Sequence, residues 1–95
     1  MADEKNWEVY IIESEAGTLY TGISTDIERR FQEHKSGTGK GARYFHMTSP
    51  RRIVFREKHA NRSEASRRER EIKKMTRAMK QELIRANRKK RRSAT

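Results

Sequence analysis

Two runs rich in aromatic and β-branched residues, Trp7-Glu-Val-Tyr-Ile-Ile-Glu13 and Thr18-Leu-Tyr-Thr-Gly-Ile23, are separated by the short polar segment Ser14-Glu-Ala-Gly17. Runs of this composition, bounded by turn residues, read as strands. Gly17 can adopt the positive φ that a tight connection requires. The first 24 residues therefore read as a β-hairpin, and the rest of the chain has to be fitted around it.

Thr25 follows the hairpin, and Thr25-x-x-Glu28 is a capping box in which each side chain can satisfy a free backbone donor at the helix start. This helix is expected to run to about Lys35 and to stop at Gly37. Ser36 to Pro50 form a long, glycine-rich, basic loop. It is not a phosphate-binding P-loop, because His34 stands five residues before Gly39 and no Ser or Thr follows Lys40; it also follows a helix, which excludes the dinucleotide fingerprint. Arg51 to Lys58 read as a third strand. Asn61 to Glu64 carry a second capping signal, after which Ser63 to Met75 continue as helix. Thr76 is expected to cap a last helix through about Ala86, with Met79, Leu83 and Ala86 on its apolar side. The element order is β-β-α-β-α-α, an α+β class, in one domain over residues 1–86, with 87–95 expected as a basic, disordered tail.

Charge is the strongest global signal. Among 95 residues 39% are charged, 32% are hydrophobic, and the net charge is +11. Arg88 to Arg92 supply five of these charges, and the remainder still carries +6. So basic a chain attracts polyanions, of which nucleic acid is the commonest. No apolar run approaches the roughly 20 residues that span a bilayer. The first residues lack the basic-then-apolar layout of a secretory signal. Cysteine is absent, which excludes disulfides and thiolate zinc sites and fits a reducing compartment. A cytoplasmic location is the expectation, with no protein partner identifiable and a monomer or weak dimer as the assembly.

Two helices each place an ionisable residue where the core should be. Ile27, Arg30, Phe31 and His34 occupy i, i+3, i+4 and i+7, one helical stripe. Arg29 falls about 100° away, free to face solvent. In the following helix Ala65 and Ile72 mark the buried face, and Glu69 lies on their stripe while Glu64 and Glu71 do not. An unpaired buried charge is costly, so three arrangements are open. Arg30 snorkels out at the core edge, or Arg30 and Glu69 form a structural salt bridge, or both face a cleft in which Arg30 stabilises phosphate charge and Glu69 holds a metal. Tyr10 and Tyr20 on the two hairpin strands can pack, or can relay a proton and orient water. Gly22 permits close approach at the strand end. The three histidines, His34, His46 and His59, show no metal-ligand spacing.

Taken together, these residues resemble the GIY-YIG nuclease superfamily, in particular its small stand-alone single-domain bacterial members. The paired strand motifs correspond to Glu8-Val-Tyr10 and Tyr20-Thr-Gly22. The family arginine, ten residues after the second motif's tyrosine, falls on Arg30; the histidine four positions on matches His34, and the later-helix glutamate matches Glu69. The likeness spans roughly Trp7 to Ile84, with Ser36 to Tyr44 and Ile72 to Ile84 matching the stand-alone members. Glu8 replaces the first motif's glycine, Thr21 takes the middle position of the second, Ile23 stands where excision-repair relatives carry lysine, and Asn87 is the candidate for the distal asparagine. The resemblance implies a three-stranded antiparallel sheet flanked by helices and a metal-dependent DNA endonuclease. Tyr10 or Tyr20 would assist activation of water, Arg30 would stabilise the phosphate, Glu69 would hold one divalent ion (Mg²⁺ or Mn²⁺), and His34 would assist nearby. A structure-selective enzyme of repair or recombination is the leading expectation. The alternative is a non-catalytic DNA- or RNA-binding module on the same fold. For nucleic-acid contact the candidates are Lys35, Lys40, Arg43, Arg51 and Arg52 on phosphates, with Tyr44 and Phe45 stacking on bases.

Overall fold

The computed structural model describes residues 6–36 and 48–93, the last three of these as helical backbone only. The expected contacts of Lys40, Arg43, Tyr44 and Phe45, and the expected helix stop at Gly37, lie outside the described residues. In chain order the elements are β1 (Trp7–Ser14), β2 (Leu19–Ser24), α1 (Ile27–Ser36), β3 (Pro50–His59), α2 (Arg62–Lys73) and α3 (Arg77–Ser93). The three strands form one antiparallel sheet in the order β2-β1-β3.

β1 is the central strand, and its sequence explains why. Val9, Tyr10, Ile11 and Ile12 form a continuous apolar run, and all four are fully buried. Successive side chains point to opposite faces of a strand, so such a run requires cover on both sides. Val9 and Ile11 pack with Phe55, Ala65, Ile72 and Ile84 beneath α2 and α3. Tyr10 and Ile12 pack with Ile27 and Phe31 of α1 and with Tyr20. Helices thus cover both faces of the sheet, α1 on one and the α2–α3 pair on the other.

The hairpin closes as its turn residues dictate. Gly17 takes φ 89°, and the Ser14 and Thr18 hydroxyls bond each other at 2.7 Å. Pro50 begins β3, one residue earlier than expected; a residue with no N–H is tolerated at the first position of an edge strand.

Three helix details correct the expectations. The Thr25 capping box does not form: the Asp26 carboxylate accepts from the Arg29 amide at 3.1 Å, and the Ser24 hydroxyl accepts from the Asp26 amide at 2.9 Å. Aspartate is a strong N-cap in its own right, and the Glu28 carboxylate that would complete the box is instead drawn to Arg56 at 2.7 Å. On α3 the core face is formed by Leu83 and Ile84, while Met79 is 54% exposed and Ala86 faces solvent. Asn87 of the same helix donates to the Arg56 carbonyl at 3.1 Å. The helix continues past Ala86, through Ser93, in a lysine- and arginine-rich segment with good helix propensity. The caps at Asn61 (accepting from Glu64, 2.9 Å) and Thr76 (accepting from Met79, 3.2 Å) form as expected.

Candidate active site

An open cleft of about 390 Å³ lies at the free edge of β2, between α1 and α2, lined by Tyr10, Tyr20, Arg30 and Glu69 among others. Edge position is what lets side chains from both faces of the sheet meet. Tyr10 and Tyr20 approach from the α1 face, and Glu69 reaches in from α2 on the other.

Tyr10 and Gly22 are directly opposed in the β1–β2 register. A Cβ at Gly22 would lie 2.5 Å from the Tyr10 Oη and 2.7 Å from its Cζ. The absent side chain is therefore what allows the buried phenol to cross β2 and reach the cleft. At its tip the hydroxyl lies 3.2 Å from His34 Nε2 and is also hydrogen-bonded to Arg30. A guanidinium can only donate, so the phenol oxygen accepts from Arg30 and keeps its own proton to donate to His34. Burial, reinforced by the neighbouring Tyr20, pushes the Tyr10 pKa up to about 12. Burial and the positive Arg30 bring His34 down to about 4. At neutral pH both are uncharged, as that donor–acceptor assignment requires. The Tyr20 ring stands edge-on to His34 at 4.9 Å and 6.3 Å from the Tyr10 ring.

Arg30 and Arg29 divide as their helical positions dictate, with side chains 14% and 66% exposed. Arg30 points inward, braced by Glu33 at 2.6 Å. Arg29 is solvated, yet it also reaches the cleft rim, a position its exposed face does not reveal in sequence. Glu69, 21% exposed, pairs with Lys73 at 3.2 Å. The Arg30–Glu69 salt bridge is not formed: each has its own partner on its own helix. Among the described residues Glu69 is the one carboxylate lining the cleft, against three guanidiniums, Arg29, Arg30 and Arg62, so this lining is electropositive.

His34 lies behind Tyr10 and does not line the cleft. Lys35 and Arg51 are exposed, and Arg52 pairs with Glu13 at 2.9 Å away from the cleft. Asn87 is likewise spent on the β3 backbone. Residues the sequence reading missed include Trp7, over which Arg62 stacks at 5.6 Å, and Ser66. Their signal was present: Arg62, Ser66 and Glu69 fall at i, i+4 and i+7 of one stripe. Glu8, in place of the motif glycine, is held by Arg56 through two bonds of 3.1 and 3.0 Å, and Arg56 also bonds Glu28 of α1. Glu8 thereby helps fix α1, and with it Arg30, to the sheet.

The donor set suits a hard divalent ion. One carboxylate in an open, hydroxyl-lined cleft matches Mg²⁺, which keeps several waters and shares phosphate oxygens rather than entering an all-protein cage. Among the described residues no group of three or more His, Cys, Asp or Glu forms such a cage.

Residues 6–82 match the family model described as the GIY-YIG catalytic domain. Over 87 residues the chain is 47% identical to the UPF0213 protein DP2720 of Desulfotalea psychrophila, covering 92% of this chain and 78% of that protein. It is 46% identical over 80 residues to the UPF0213 protein PA3854 of Pseudomonas aeruginosa, covering 84% and 75%. The solution NMR structure of the UPF0213 protein BH0048 from Bacillus halodurans is similar at 40% identity and a TM-score of 0.54, over 85% of this chain and 84% of that one.

Proposed function

Because the chain belongs to the GIY-YIG catalytic domain family, we propose that it is a metal-dependent DNA endonuclease hydrolysing phosphodiester bonds in the β2-edge cleft. The observation that carries this reading is the meeting of Tyr10, Tyr20, Arg30 and Glu69 at one open, electropositive hollow, with Arg30 and Glu69 each held by its own helix rather than spent on one another.

Arg30 is the charge-stabilising group: its guanidinium, fixed by Glu33 and the Tyr10 hydroxyl, meets the negative charge that grows on phosphate oxygens during in-line attack. Tyr10 is a positioning residue. Its pKa near 12 keeps it a neutral phenol, and both of its hydrogen bonds face protein groups. Tyr20, half-buried at the cleft wall, is the phenol with access to water and orients the nucleophile. Glu69 would hold the Mg²⁺ or Mn²⁺ ion, which when bound supplies Lewis-acid neutralisation of phosphate charge. Arg29 and Arg62 at the rim bind flanking phosphates. The cations lining the cleft among the described residues are arginines suited to phosphate contact, so selectivity for DNA structure, of use in repair or recombination, is expected over sequence readout. No helix among the described residues is long and apolar enough to cross a membrane.

The test is incubation of wild type and Glu69→Ala with branched, nicked and intact duplex DNA in Mg²⁺ or Mn²⁺. Cleavage by the wild type alone, abolished by EDTA, is expected. Equal cleavage by both points to a contaminant, and cleavage by neither on any substrate leaves a nucleic-acid-binding module.

A further inference from the structure

A second hollow of about 300 Å³ runs between α3 and the other end of the sheet, and four of its lining residues are arginines: Arg52, Arg77, Arg85 and Arg88. Register places it well apart from the cleft. Glu13, opposite Leu19 and Arg52, lines this groove, whereas Trp7, at the start of β1, lines the cleft. Six residues of strand separate them, about 20 Å.

The groove keeps a surplus of positive charge. Among the described residues Glu13 is the one acid lining it, and it is paired with Arg52 at 2.9 Å. Arg85 pairs with Glu82 within α3, both side chains being about two-thirds exposed or more, which makes that pairing weak in water. Arg77 and Arg88 make no ion pair among the described residues. Beneath them Leu19, Val54 and Ile84 form an apolar floor, where a charge is screened less than in open water.

Spacing identifies the kind of anion. Arg77, Arg85 and Arg88 fall within about 80° of one another around the α3 axis and extend over about 16 Å. Phosphates of one duplex strand repeat every 3.4 Å or so along the axis, so the row matches about five of them. A single small phosphate compound needs no such row. All the cations are arginines, whose planar forks grip phosphate oxygens two at a time.

We propose that this groove holds the phosphodiester backbone of a nucleic acid, as a second anchoring site about 20 Å from the cleft. Resting on the nuclease reading, it would grip the same DNA whose other stretch enters the cleft.

The experiment uses the Glu69→Ala chain in EDTA, so that no cleavage intervenes, and measures anisotropy of a labelled duplex of about 30 base pairs across a KCl series. The variant Arg77→Gln/Arg85→Gln/Arg88→Gln is compared with a charge-matched control at exposed residues lining neither hollow, Lys58→Gln/Arg70→Gln/Lys74→Gln. The groove variant is expected to lose affinity at least about tenfold and to reduce the slope of log K against log salt by about three, one per phosphate contact, with the control changing it by less than about one. Circular dichroism establishes that both variants are folded. Equal effects of the two variants, or none from either, overturn the proposal. So does displacement of the duplex by a polyglutamate peptide as effectively as by unlabelled duplex, which would assign the groove to an acidic protein. Failure of the wild type to cleave in Mg²⁺ overturns the hydrolase reading and leaves this binding result standing.

Discussion

Replacing Gly22 with alanine tests how the cleft is built. The new Cβ would sit 2.5 Å from the Tyr10 Oη and 2.7 Å from its Cζ, roughly 1 Å inside ordinary contact. Tyr10 is fully buried against Ile12 and Ile27, so the ring cannot yield without disturbing that cluster. Overpacking of this kind costs about 1–3 kcal/mol. Displacing the phenol also breaks its bond to His34 and strands a buried polar group, a further 1–3 kcal/mol or so. The sum, about 2–6 kcal/mol, is a large fraction of the 5–15 kcal/mol or so that holds a small domain together. At about 4–8 °C per kcal/mol for a domain of this size, Tm should fall by at least about 8 °C. Thermal denaturation read by far-UV circular dichroism, run as a double-mutant cycle with Tyr10→Ala, isolates the cause. In the Tyr10→Ala background the Gly22→Ala penalty should largely vanish, whereas in Tyr10→Phe it should persist, because the Cζ clash remains. A penalty for Gly22→Ala that is the same with and without the Tyr10 ring, or one below about 0.5 kcal/mol, would refute the reasoning.

Two further predictions concern charge. His34 has a folded pKa of about 4 against an ordinary value of 6.5, so the unfolded chain binds more protons between those values. Its contribution to stability is complete above about pH 6.5 and is lost as pH falls toward 4, at up to about 1.4 kcal/mol per unit. Tm of wild type should therefore drop more steeply between pH 7 and 4.5 than that of His34→Gln; parallel profiles would contradict the assignment. Arg56→Ala leaves the buried Glu8 carboxylate without its partner and should destabilise by about 2–3 kcal/mol. Glu28→Ala, which removes only the exposed arm of the same network, should change stability by less than about 1 kcal/mol in urea denaturation.

Much of this architecture was legible in the residues. The hairpin, the caps at Asn61 and Thr76, and the element order follow from local chemistry, which acts within a few residues. Arg30 could be separated from Arg29, and Glu69 from Glu64 and Glu71, because helical periodicity fixes which side faces the sheet. What was illegible depends on partners distant in sequence. The Asp26 cap prevails over the Thr25 box because Arg56, 28 residues beyond Glu28, claims that carboxylate. The turn of α3 about its axis, which exposes Met79 and buries Ile84, shows only once the helix is packed on the sheet, where Asn87 meets a β3 carbonyl. Gly22 was legible as a site of close approach, but only the cross-strand register shows that the approaching group is Tyr10. The arginine groove joins residues from four elements, β1, β2, β3 and α3, and no single segment announces it.

The central claim is that Arg30, not Arg29, meets the reacting phosphate, and single-turnover cleavage of branched DNA in Mg²⁺ by wild type, Arg30→Ala and Arg29→Ala tests it most directly. Loss of a charge-stabilising donor typically slows the chemical step by about 10²–10³-fold. Arg30→Ala should fall by that factor at saturating protein, and Arg29→Ala by less than about tenfold. Equal losses from the two variants, or an Arg30→Ala protein that cleaves as fast as wild type, would contradict the account.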